Sequence, residues 1–408
     1  MTRTSAVVTV AVALALTLAA CSTAGDGAGA SPSTGATTSE PASEPTSEPA
    51  SEPTASGTSD ASPDPTTEPS EPSEPVETVT VDQVVTTGLA QPWGLAPLPE
   101  GGLVVTLRDE ARLVVVGPDG SQTDVTGPGA DTLADETVPG GEGGLLGVAV
   151  APEPAGDGGT ALVVYRTGQS DNAVLTGRLD GTELGELTTV VDGIPRARTH
   201  NGGQVGFGPD GHLYVSTGDA GDPSLAQDPD SLGGKILRVT LEGEPAPDNP
   251  VADSPVLSLG HRNVQGLGWD AGGVLYASEF GQNDLDELNR IEPGGNYGWP
   301  DVEGDGGTDD GFVDPVATWA TDVASPSGLA VTPSGVWLAG LRGQRLWLVP
   351  FDGDDRATGE PRAYLEGELG RVRAVVAGGE RGLWVLTNNT DGRGAPGPDD
   401  DRLLRLTY

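Results

Sequence analysis

Histidine occurs only three times in this sequence of 408 residues, and two of the three lie in one glycine-rich stretch, RTHNGGQVGFGPDGHLYVSTGD, from Arg198 to Asp219. His200 directly precedes Asn-Gly-Gly, a turn signal, and an apolar run typical of a strand follows. An imidazole in that turn covers no core surface. His200 is therefore a candidate site residue, and its chemistry depends on what the rest of the chain places around it.

Further polar residues lie in turns ahead of other apolar runs. Guanidinium groups match carboxylates in geometry, so several arginines together favour a polyanionic ligand. Taken singly, any one of these arginines is more simply explained as a solvated surface charge. The set consists of Glu142 in GGEGGLLG, Arg262 and Asn263 in GHRNVQG, Arg342 in GLRGQ, and Arg371 and Arg373 in GRVRAVV.

The other histidines and motifs give weaker evidence of a functional site. His212 lies in a hairpin turn, where a structural or surface role is expected, and His261 is either structural or a support for the adjacent Arg262. No H-E-x-x-H or G-x-S-x-G pattern occurs, which disfavours a zinc protease and a serine hydrolase. GFGPDG (206–211) fits G-x-G-x-x-G, but a strand and no helix follows it, so we interpret it as a chance match.

The elements that would position these residues repeat along the chain. Six segments each contain a short apolar run, a Pro/Gly/Asp turn and a second apolar run, which indicates a β-hairpin, and a further strand-like run follows each hairpin. A spacing of roughly 45 to 62 residues with several strands per unit predicts a six-bladed β-propeller. A pair of β-sandwiches is the alternative. The hairpins begin at Pro92, Leu145, Gly202, Val264, Pro326 and Val372.

The fold is therefore predicted to be all-β, with no convincing helical period beyond the N-terminal segment. The last strand, Arg402 to Tyr408, is expected to complete a blade begun near Val79 and so to close the ring. Loops at one end of a propeller converge, so that residues distant in sequence can share one pocket.

The N-terminal segment has the layout of a signal peptide: Arg3, an apolar run from Ala6 to Ala20, and then Cys21. Leu-Ala-Ala-Cys resembles a bacterial lipobox, which predicts cleavage before Cys21 and lipidation of its thiol. An ordinary secretory signal with an incidental cysteine is the alternative. Cys21 is the only cysteine, so no internal disulfide can form. The predicted segments are a lipoprotein signal peptide (1–20), a tether (21–80) and the propeller (81–408).

Composition separates the tether from the propeller. The tether is rich in Ser, Thr, Glu and Pro and holds eleven acidic residues and no basic one, so it is predicted to be disordered and extended. The propeller segment holds 50 acidic and 20 basic residues, a net charge of −30. That charge repels nucleic acid, which is therefore excluded as a partner, and mainly favours solubility.

Several motifs together resemble the soluble glucose/sorbosone dehydrogenases, or aldose sugar dehydrogenases: HNGGQVGFGPDGHLYVSTGD, SLGGKILRV, GHRNVQG, SEFGQNDLDELNRI and GGNYGWPDVEG. The resemblance covers about 85–407. It implies a six-bladed propeller that uses pyrroloquinoline quinone (PQQ) and calcium to oxidise an aldose at C1 to a lactone. The electrons would pass to an acceptor that the sequence does not identify, and the lipid anchor would hold the enzyme on the outer face of the membrane.

The resemblance also implies residue roles. His200 matches the catalytic base, Arg262 and Asn263 match the pair at the quinone edge, and Arg371 and Arg373 match ligands of the cofactor carboxylates. The backbone carbonyls of Gly281 and Gln282 match the ligands of the calcium that bridges to PQQ. Ligands of a separate structural calcium are matched by Glu287 and Tyr297, with Asp305 or Asp309 as a further candidate.

Three features depart from the best-known glucose-oxidising members. Glu142 replaces a glutamine, and its carboxylate would repel a tri-anionic cofactor unless it were protonated or paired with arginine. Arg342 replaces a lysine, which keeps the charge but changes the geometry. The loop between Pro223 and Gly233 is shorter, which suggests a wider pocket and looser sugar choice.

Two other functional classes remain open at this point. One is a catalytically silent lipoprotein propeller that binds a sugar or a cell-wall component, and the other is a protein-interaction propeller. A binding module has no need of a base such as His200 beside the Arg262–Asn263 pair. Aromatic residues form only 4% of the sequence, which disfavours an interaction surface.

The lipobox leads to the first prediction. Cys21→Ala should leave the protein without a lipid, and either released or uncleaved, because the thiol that carries the lipid is gone. Membrane fractionation and mass spectrometry of the N-terminal peptide measure this. A variant that still partitions with membranes as a mature lipidated species would contradict the lipobox interpretation.

Overall fold

The computed structural model describes residues 75–152, 159–352, 356–357 and 359–408. The predicted signal peptide, Cys21 and nearly all of the predicted tether lie outside these residues. Within the described part of the chain, no helix is long and apolar enough to cross a membrane.

Six antiparallel sheets follow one another along the chain, and each begins with one of the six predicted hairpins. The first three sheets form blades 1 to 3. Blade 1 contains β2 (Pro92–Pro97), β3 (Leu103–Leu107), β4 (Arg112–Val116) and β5 (Gln122–Asp124). Blade 2 contains β6 (Leu145–Val150), β7 (Thr160–Thr167), β8 (Asn172–Asp180), β9 (Glu183–Leu184) and β10 (Thr188–Ile194). Blade 3 contains β11 (Val205–Phe207), β12 (Leu213–Ser216), β13 (Lys235–Val239) and β14 (Val256–Leu259).

The other three sheets form blades 4 to 6, and blade 6 combines strands from both ends of the described chain. Blade 4 contains β15 (Val264–Trp269), β16 (Leu275–Glu279), β17 (Leu285–Ile291) and β18 (Ala317–Ala320). Blade 5 contains β19 (Pro326–Thr332), β20 (Gly335–Gly340), β21 (Arg345–Asp352), β22 (Arg356–Ala357) and β23 (Arg362–Tyr364). Blade 6 contains β24 (Val372–Ala377), β25 (Gly382–Thr387), β26 (Leu403–Thr407) and β1 (Thr80–Thr86).

The first strands of the six blades contact one another in a ring, with β24 of blade 6 against β2 of blade 1. These strands approach so closely that some positions have no room for a side chain. A Cβ atom at Gly94 would lie 2.7 Å from the Leu146 carbonyl oxygen, and one at Gly147 would lie 2.3 Å from the Gly203 carbonyl oxygen. The six-bladed propeller predicted from the repeats is confirmed.

Ring closure also follows the prediction. β26 lies between β25 and β1, with Leu404 paired to Val84 on one side and to Val385 on the other. Val76 and Val79 are buried in the core shared by blades 5 and 6. Packing therefore begins at Val76, slightly before the predicted start of the propeller at residue 81.

Two short helices and a 3₁₀ turn occur in segments where the sequence shows no convincing helical period. Helix α1 (Pro128–Glu136) connects blades 1 and 2, helix α2 (Ser224–Gln227) lies in the β12–β13 loop, and a 3₁₀ turn spans Thr308–Asp310. Pro128 suits the first turn of a helix, and Leu133 anchors α1 in the core. With only nine residues in α1 and four in α2, neither helix is long enough to show a clear apolar period.

Antiparallel order places the loops of each blade at two ends. The loop before the first strand and the loop between the second and third strands share one end, which we call the site end. The hairpin turns lie at the other end. GFGPDG joins β11 to β12 at the hairpin end, so the interpretation as a chance match holds. A cavity of about 590 Å³ runs along the central channel from hairpin-turn residues such as Pro99 inward to Gln204 and Arg373.

Ring closure by β26 leads to the second prediction. Leu404→Ala should lower the free energy of unfolding by about 2–5 kcal/mol, because Leu404 is fully buried in a strand with neighbours on both sides. Val81→Ala on β1 is the matched control and should cost no more than about 0.5 kcal/mol, because Val81 is 39% exposed on the outermost strand. Urea titration of both variants measures the difference. Equal, small effects would contradict closure by β26.

Candidate active site

His200 lies at the site end, in the loop before β11, and its backbone is held in an unusual conformation. Its φ is +57°, a left-handed value that residues other than glycine rarely adopt. The backbone N–H donates to Glu142 Oε2 at 2.9 Å, and the carbonyl oxygen accepts from the Ala220 N–H at 3.1 Å. These two contacts fix the direction in which the side chain leaves the loop.

The His200 imidazole is held by hydrogen bonds at both nitrogens. Nδ1 lies 2.7 Å from Asp219 Oδ1, and Nε2 lies 2.9 Å from Arg262 Nη2. A guanidinium can only donate, so Nε2 must be the acceptor and Nδ1 must carry the proton. The arrangement presents a neutral imidazole whose basic nitrogen faces a cation. This is the tautomer that a general base working through Nε2 requires.

Asp219 fixes that tautomer, although sequence reasoning did not select it. The residue is fully buried, and its carboxylate also accepts from Trp299 Nε1 at 2.9 Å and from the Gly221 N–H at 2.7 Å. Asp219 lies in the β12–β13 loop and ends the glycine-rich stretch that begins at Arg198. Because Asp219 is distant from His200 along the chain, the contact between them was not predicted from the sequence.

Arg262 links the imidazole to the loop between β16 and β17. Its Nη1 donates to the carbonyl oxygens of Phe280 at 3.0 Å and Gly281 at 2.7 Å, and its guanidinium lies 5.5 Å from the Trp299 ring centroid. Its Nε is buried without a hydrogen-bond partner among the described residues. The Nε–H donor of Arg262 is therefore unused within the described part of the site.

Asn263 ties the glycine turn after His200 to blade 4. Its Oδ1 accepts from the Gly202 N–H at 3.0 Å, and its Nδ2 is buried with no partner in the described chain. Gly202 has φ +63°, and a Cβ atom there would lie 2.5 Å from the main chain of Thr217. The expected close backbone approach at Gly-Gly is therefore present.

Three buried arginines form a second part of the site. Arg371 and Arg373 are joined by Arg108, which sequence reasoning missed, and all three are at most 7% exposed. Arg371 pairs with Asp391 at 2.9 Å and Arg108 with Asp109 at 2.6 Å. Arg373 instead lies 4.2 Å from the Trp93 ring centroid.

The cluster holds more positive charge than its neighbours balance. Burial, together with the positive charges of Arg108 and Arg371, lowers the pKa of Arg373 well below its ordinary value. The Nε atoms of Arg371 and Arg373 are buried and have no partner among the described residues. Buried guanidinium groups with spare donors are the chemistry of an anion site.

Glu142 connects the two parts of the site. Its Oε1 accepts from Arg393 Nη2 at 3.2 Å, while Oε2 accepts from the His200 backbone. Arg393 and Asp391 share the β25–β26 loop, where the Arg393 N–H donates to Asp391. Glu142 is therefore paired with an arginine, which is one of the two conditions under which an anionic ligand can bind beside it.

Arg342 lies at the site end, but in a different kind of loop from the one predicted. It lies between β20 and β21, in a second-to-third-strand loop, and its side chain is exposed. Within the described residues it has no hydrogen bond or ion pair. The sequence pattern had grouped it with residues that precede a first strand, whereas it lies in the same kind of loop as Arg108 and Asp219, and its role as a cofactor ligand stays a prediction.

The carbonyls of the proposed cofactor-metal site belong to a tightly anchored loop. Oε1 of Glu303 accepts from the N–H groups of Gln282, Asn283 and Asp284 at 2.6, 2.8 and 2.9 Å. These amides are directed at one carboxylate, and the Asn283 carbonyl accepts from the Thr321 hydroxyl at 3.3 Å. The Gly281 carbonyl already accepts from the cationic Arg262.

The residues proposed for a structural metal are also partly engaged. Glu287 is buried opposite Glu279 across β16 and β17, and burial, followed by the Glu279 charge, raises the pKa of Glu287 to about 8. The Tyr297 hydroxyl donates to the Arg290 carbonyl at 2.6 Å and accepts from the Glu292 N–H at 2.9 Å. Only the backbone carbonyl of Tyr297 is therefore left as a ligand.

The described carboxylates near Glu287 and Tyr297 do not form a complete set of metal ligands. Asp305 and Asp309 are exposed. Among the described residues, no three His, Cys, Asp or Glu side chains converge as metal ligands. A metal site in this region would therefore need ligands besides these side chains, such as backbone carbonyls.

The remaining histidines take the two roles considered for them. His261 is fully buried between Glu279, 2.8 Å from Nδ1, and Ser258, 2.9 Å from Nε2. Because Glu279 also accepts from the backbone N–H of Arg262, His261 supports the site from behind. His212 lies at the hairpin end, 3.2 Å from Asp210, away from the site.

Comparisons with known proteins agree with this geometry. The glucose/sorbosone dehydrogenase family description matches residues 89–405. The aldose sugar dehydrogenase YliI of Escherichia coli is 31% identical over 345 residues, covering 76% of this chain and 90% of that protein. A PQQ-bound aldose sugar dehydrogenase structure from Streptomyces coelicolor is 52% identical with a TM-score of 0.76, covering 81% and 98% of the two chains. A structure from Thermus thermophilus, described as a putative oxidoreductase (glucose dehydrogenase), is 40% identical with a TM-score of 0.71, covering 80% and 99%.

Proposed function

The chain belongs to the glucose/sorbosone dehydrogenase family, and from that premise we propose that it oxidises the C1 hydroxyl of an aldose to a lactone with PQQ and calcium. The single observation that carries the proposal is the His200 imidazole, held by Asp219 and Arg262 with its Nε2 unprotonated. The PQQ-bound Streptomyces relative supports the choice of cofactor.

The arginine cluster fits the anionic cofactor. PQQ carries three carboxylates, and Arg108, Arg371 and Arg373 present buried guanidinium groups whose partners balance only part of their charge. The two unpartnered Nε donors give the cofactor carboxylates hydrogen bonds to accept. Pairing of Glu142 with Arg393 removes the repulsion that a free carboxylate would exert.

The loop at Gly281 fits a cation with a preference for oxygen. Calcium takes carbonyl oxygens as ligands, and the carbonyls of Gly281 and Gln282 would hold it beside the cofactor, with Glu303 anchoring the loop. Glu287 and the Tyr297 carbonyl would hold a second, structural calcium. When bound, PQQ supplies the acceptor for the hydride and calcium supplies a Lewis acid that polarises it.

His200 removes the proton in this proposal. Hydride leaves C1 readily only as the hydroxyl proton departs, so a base within hydrogen-bond reach of that hydroxyl is needed. Asp219 keeps the proton on Nδ1 and thereby keeps Nε2 basic. After proton transfer, the Asp219 carboxylate stabilises the imidazolium. Arg262, which donates to Nε2, holds the ring in place until the sugar hydroxyl takes over that contact.

The proposal places the enzyme outside the cell, held to the membrane by a lipid on Cys21, with the tether between anchor and propeller. The lipobox and the acidic, proline-rich segment support this. Beside His200, the short β12–β13 loop with helix α2 favours a pocket open to more than one sugar. A second substrate, an electron acceptor, completes the cycle.

His200→Gln should leave PQQ bound and lower kcat on an aldose by about a hundredfold or more, the usual range for loss of a general base. The effect should fall on kcat more than on PQQ affinity, because the proton moves only in the transition state. Steady-state kinetics with an artificial electron acceptor and PQQ titration measure both quantities. His212→Gln, at the hairpin end, is the matched control and should keep wild-type kcat.

Two outcomes would overturn the proposal in different ways. A fully active His200→Gln enzyme would remove His200 as the base even if PQQ binds. Sugar binding without turnover in wild-type protein loaded with PQQ and calcium would favour the carbohydrate-binding propeller instead.

Replacement of the cluster tests the cofactor site. Arg371→Ala and Arg373→Ala should each weaken PQQ binding by about 1.5–3 kcal/mol, the range for a lost hydrogen bond to a charged group. A calcium chelator should weaken PQQ binding in the wild-type protein as well. The control is Arg112→Ala, which removes an arginine paired with Glu110 on the surface of blade 1. Absorbance titration with PQQ measures the affinities, and unchanged affinity in both cluster variants would place the cofactor elsewhere.

A further inference from the structure

Lys235 is the only lysine in the sequence, and it is fully buried at the start of β13. Its Nζ donates to the carbonyl oxygens of Leu225 at 2.6 Å, Ala226 at 3.0 Å and Gly233 at 2.7 Å. An ammonium group has three N–H donors, so these three carbonyls satisfy it completely. No carboxylate accepts from it among the described residues.

The three carbonyls belong to the β12–β13 loop that carries Asp219. Leu225 and Ala226 lie in helix α2, and Gly233 lies where the loop returns to the sheet. Lys235 therefore joins the middle of the loop to its end. Burial disfavours the charged ammonium form and lowers the pKa of Lys235 to about 8.

A second set of contacts leads from α2 to Asp219. Gln227 Nε2 donates to Asn296 Oδ1 at 2.9 Å and to the Trp299 carbonyl at 2.8 Å. Trp299 Nε1 in turn donates to Asp219 Oδ2. The position of α2 and the position of the Asp219 carboxylate are thus coupled through two side chains as well as through the backbone.

We propose that Lys235 is a positioning residue for His200: its ammonium holds α2 and the β12–β13 loop so that Asp219 stays hydrogen-bonded to Nδ1. An apolar residue in its place would avoid burying a charge but would leave the Gly233 carbonyl without a donor in the described part of the chain. The Leu225 and Ala226 carbonyls would each lose one donor and keep one, the N–H of Asp228 at 3.3 Å and the N–H of Gly260 at 3.0 Å. The loop would then move to find other partners, and Asp219 would move with it. The kinetic consequence rests on the proposed role of His200, whereas the structural consequence does not.

Lys235→Ala leaves a space shaped for n-propylammonium, the part of the side chain that is removed. In the full chain without PQQ, the downfield proton resonance of His200 Nδ1–H, assigned by its absence in His200→Gln, should be lost or broadened in this variant. With PQQ and calcium added, kcat should fall roughly tenfold to a hundredfold, as for a catalytic group displaced by about 1 Å, with PQQ affinity unchanged. Millimolar n-propylammonium should restore both the resonance and kcat, while sodium at equal ionic strength should not.

Two further variants make the test decisive. Leu237→Ala on the same strand removes a fully buried core side chain, so it lowers stability and leaves the three carbonyl contacts of Lys235 intact. This variant should keep the resonance and kcat. Lys235→Met, of similar length and uncharged, serves if Lys235→Ala does not fold, and it should lose the resonance too. Retention of the resonance in the Lys235 variant, or a loss that Leu237→Ala reproduces and the amine does not reverse, would overturn the proposal. Loss of the resonance in a protein whose wild type is inactive would instead sustain the positioning role and reject only the proposed function.

Discussion

The close approach of the six first strands around the channel axis is the constraint on which the rest of the structure depends. Where two blades touch, a backbone carbonyl of one occupies the space in which a side chain of the other would stand, as at Gly94, Gly147 and Gly266. Hydroxyl groups on second strands complete these contacts. Thr106 donates to the Leu146 carbonyl at 2.5 Å, and Ser216 donates to the Val264 carbonyl at 2.9 Å.

The same constraint shapes the site. In five of the blades the pairing of the first two strands shifts register close to the site end, for example between Pro92 and Leu95 and between Val264 and Gly266. Such bulges bend a strand and redirect the residues next to them. The loops that precede the first strands are therefore turned toward the axis, and the site draws on residues from five blades: Arg108, Glu142, His200, Arg262 and Arg371.

Much of this could be predicted from the sequence because the repeats are local patterns. Each hairpin is specified by neighbouring residues, and once the blades are aligned, His200, Arg262 and Arg373 fall at one end of the ring. Asp219 and Arg108 were missed for a definite reason. Both lie between a second and a third strand, outside the turns before the first strands in which most of the predicted polar residues lie, although antiparallel order brings both kinds of loop to the same end.

Contacts that do not recur from blade to blade could not be predicted from the repeats. Pairing of Glu142 with Arg393 joins residues 251 positions apart and depends on how far two side chains extend. Helix α1 was missed because nine residues around a single buried anchor, Leu133, give too little periodic signal. Repeat patterns therefore predict which loops meet, and side-chain packing decides which residues within those loops touch.

In this propeller, positive charge is buried near the axis although the sequence as a whole is acidic. The segment 81–408 is strongly acidic, yet the arginines nearest the axis are almost wholly buried, and Arg373 is opposed by an aromatic ring where a carboxylate could have stood. Burying like charges side by side destabilises the protein, and ion pairs with Asp109 and Asp391 offset this at Arg108 and Arg371. An anion with several carboxylates would remove the remaining repulsion and satisfy the free Nε donors together. Ligand affinity and stability of the folded ring would then be coupled at this cluster, because an anion bound there would stabilise only the folded protein.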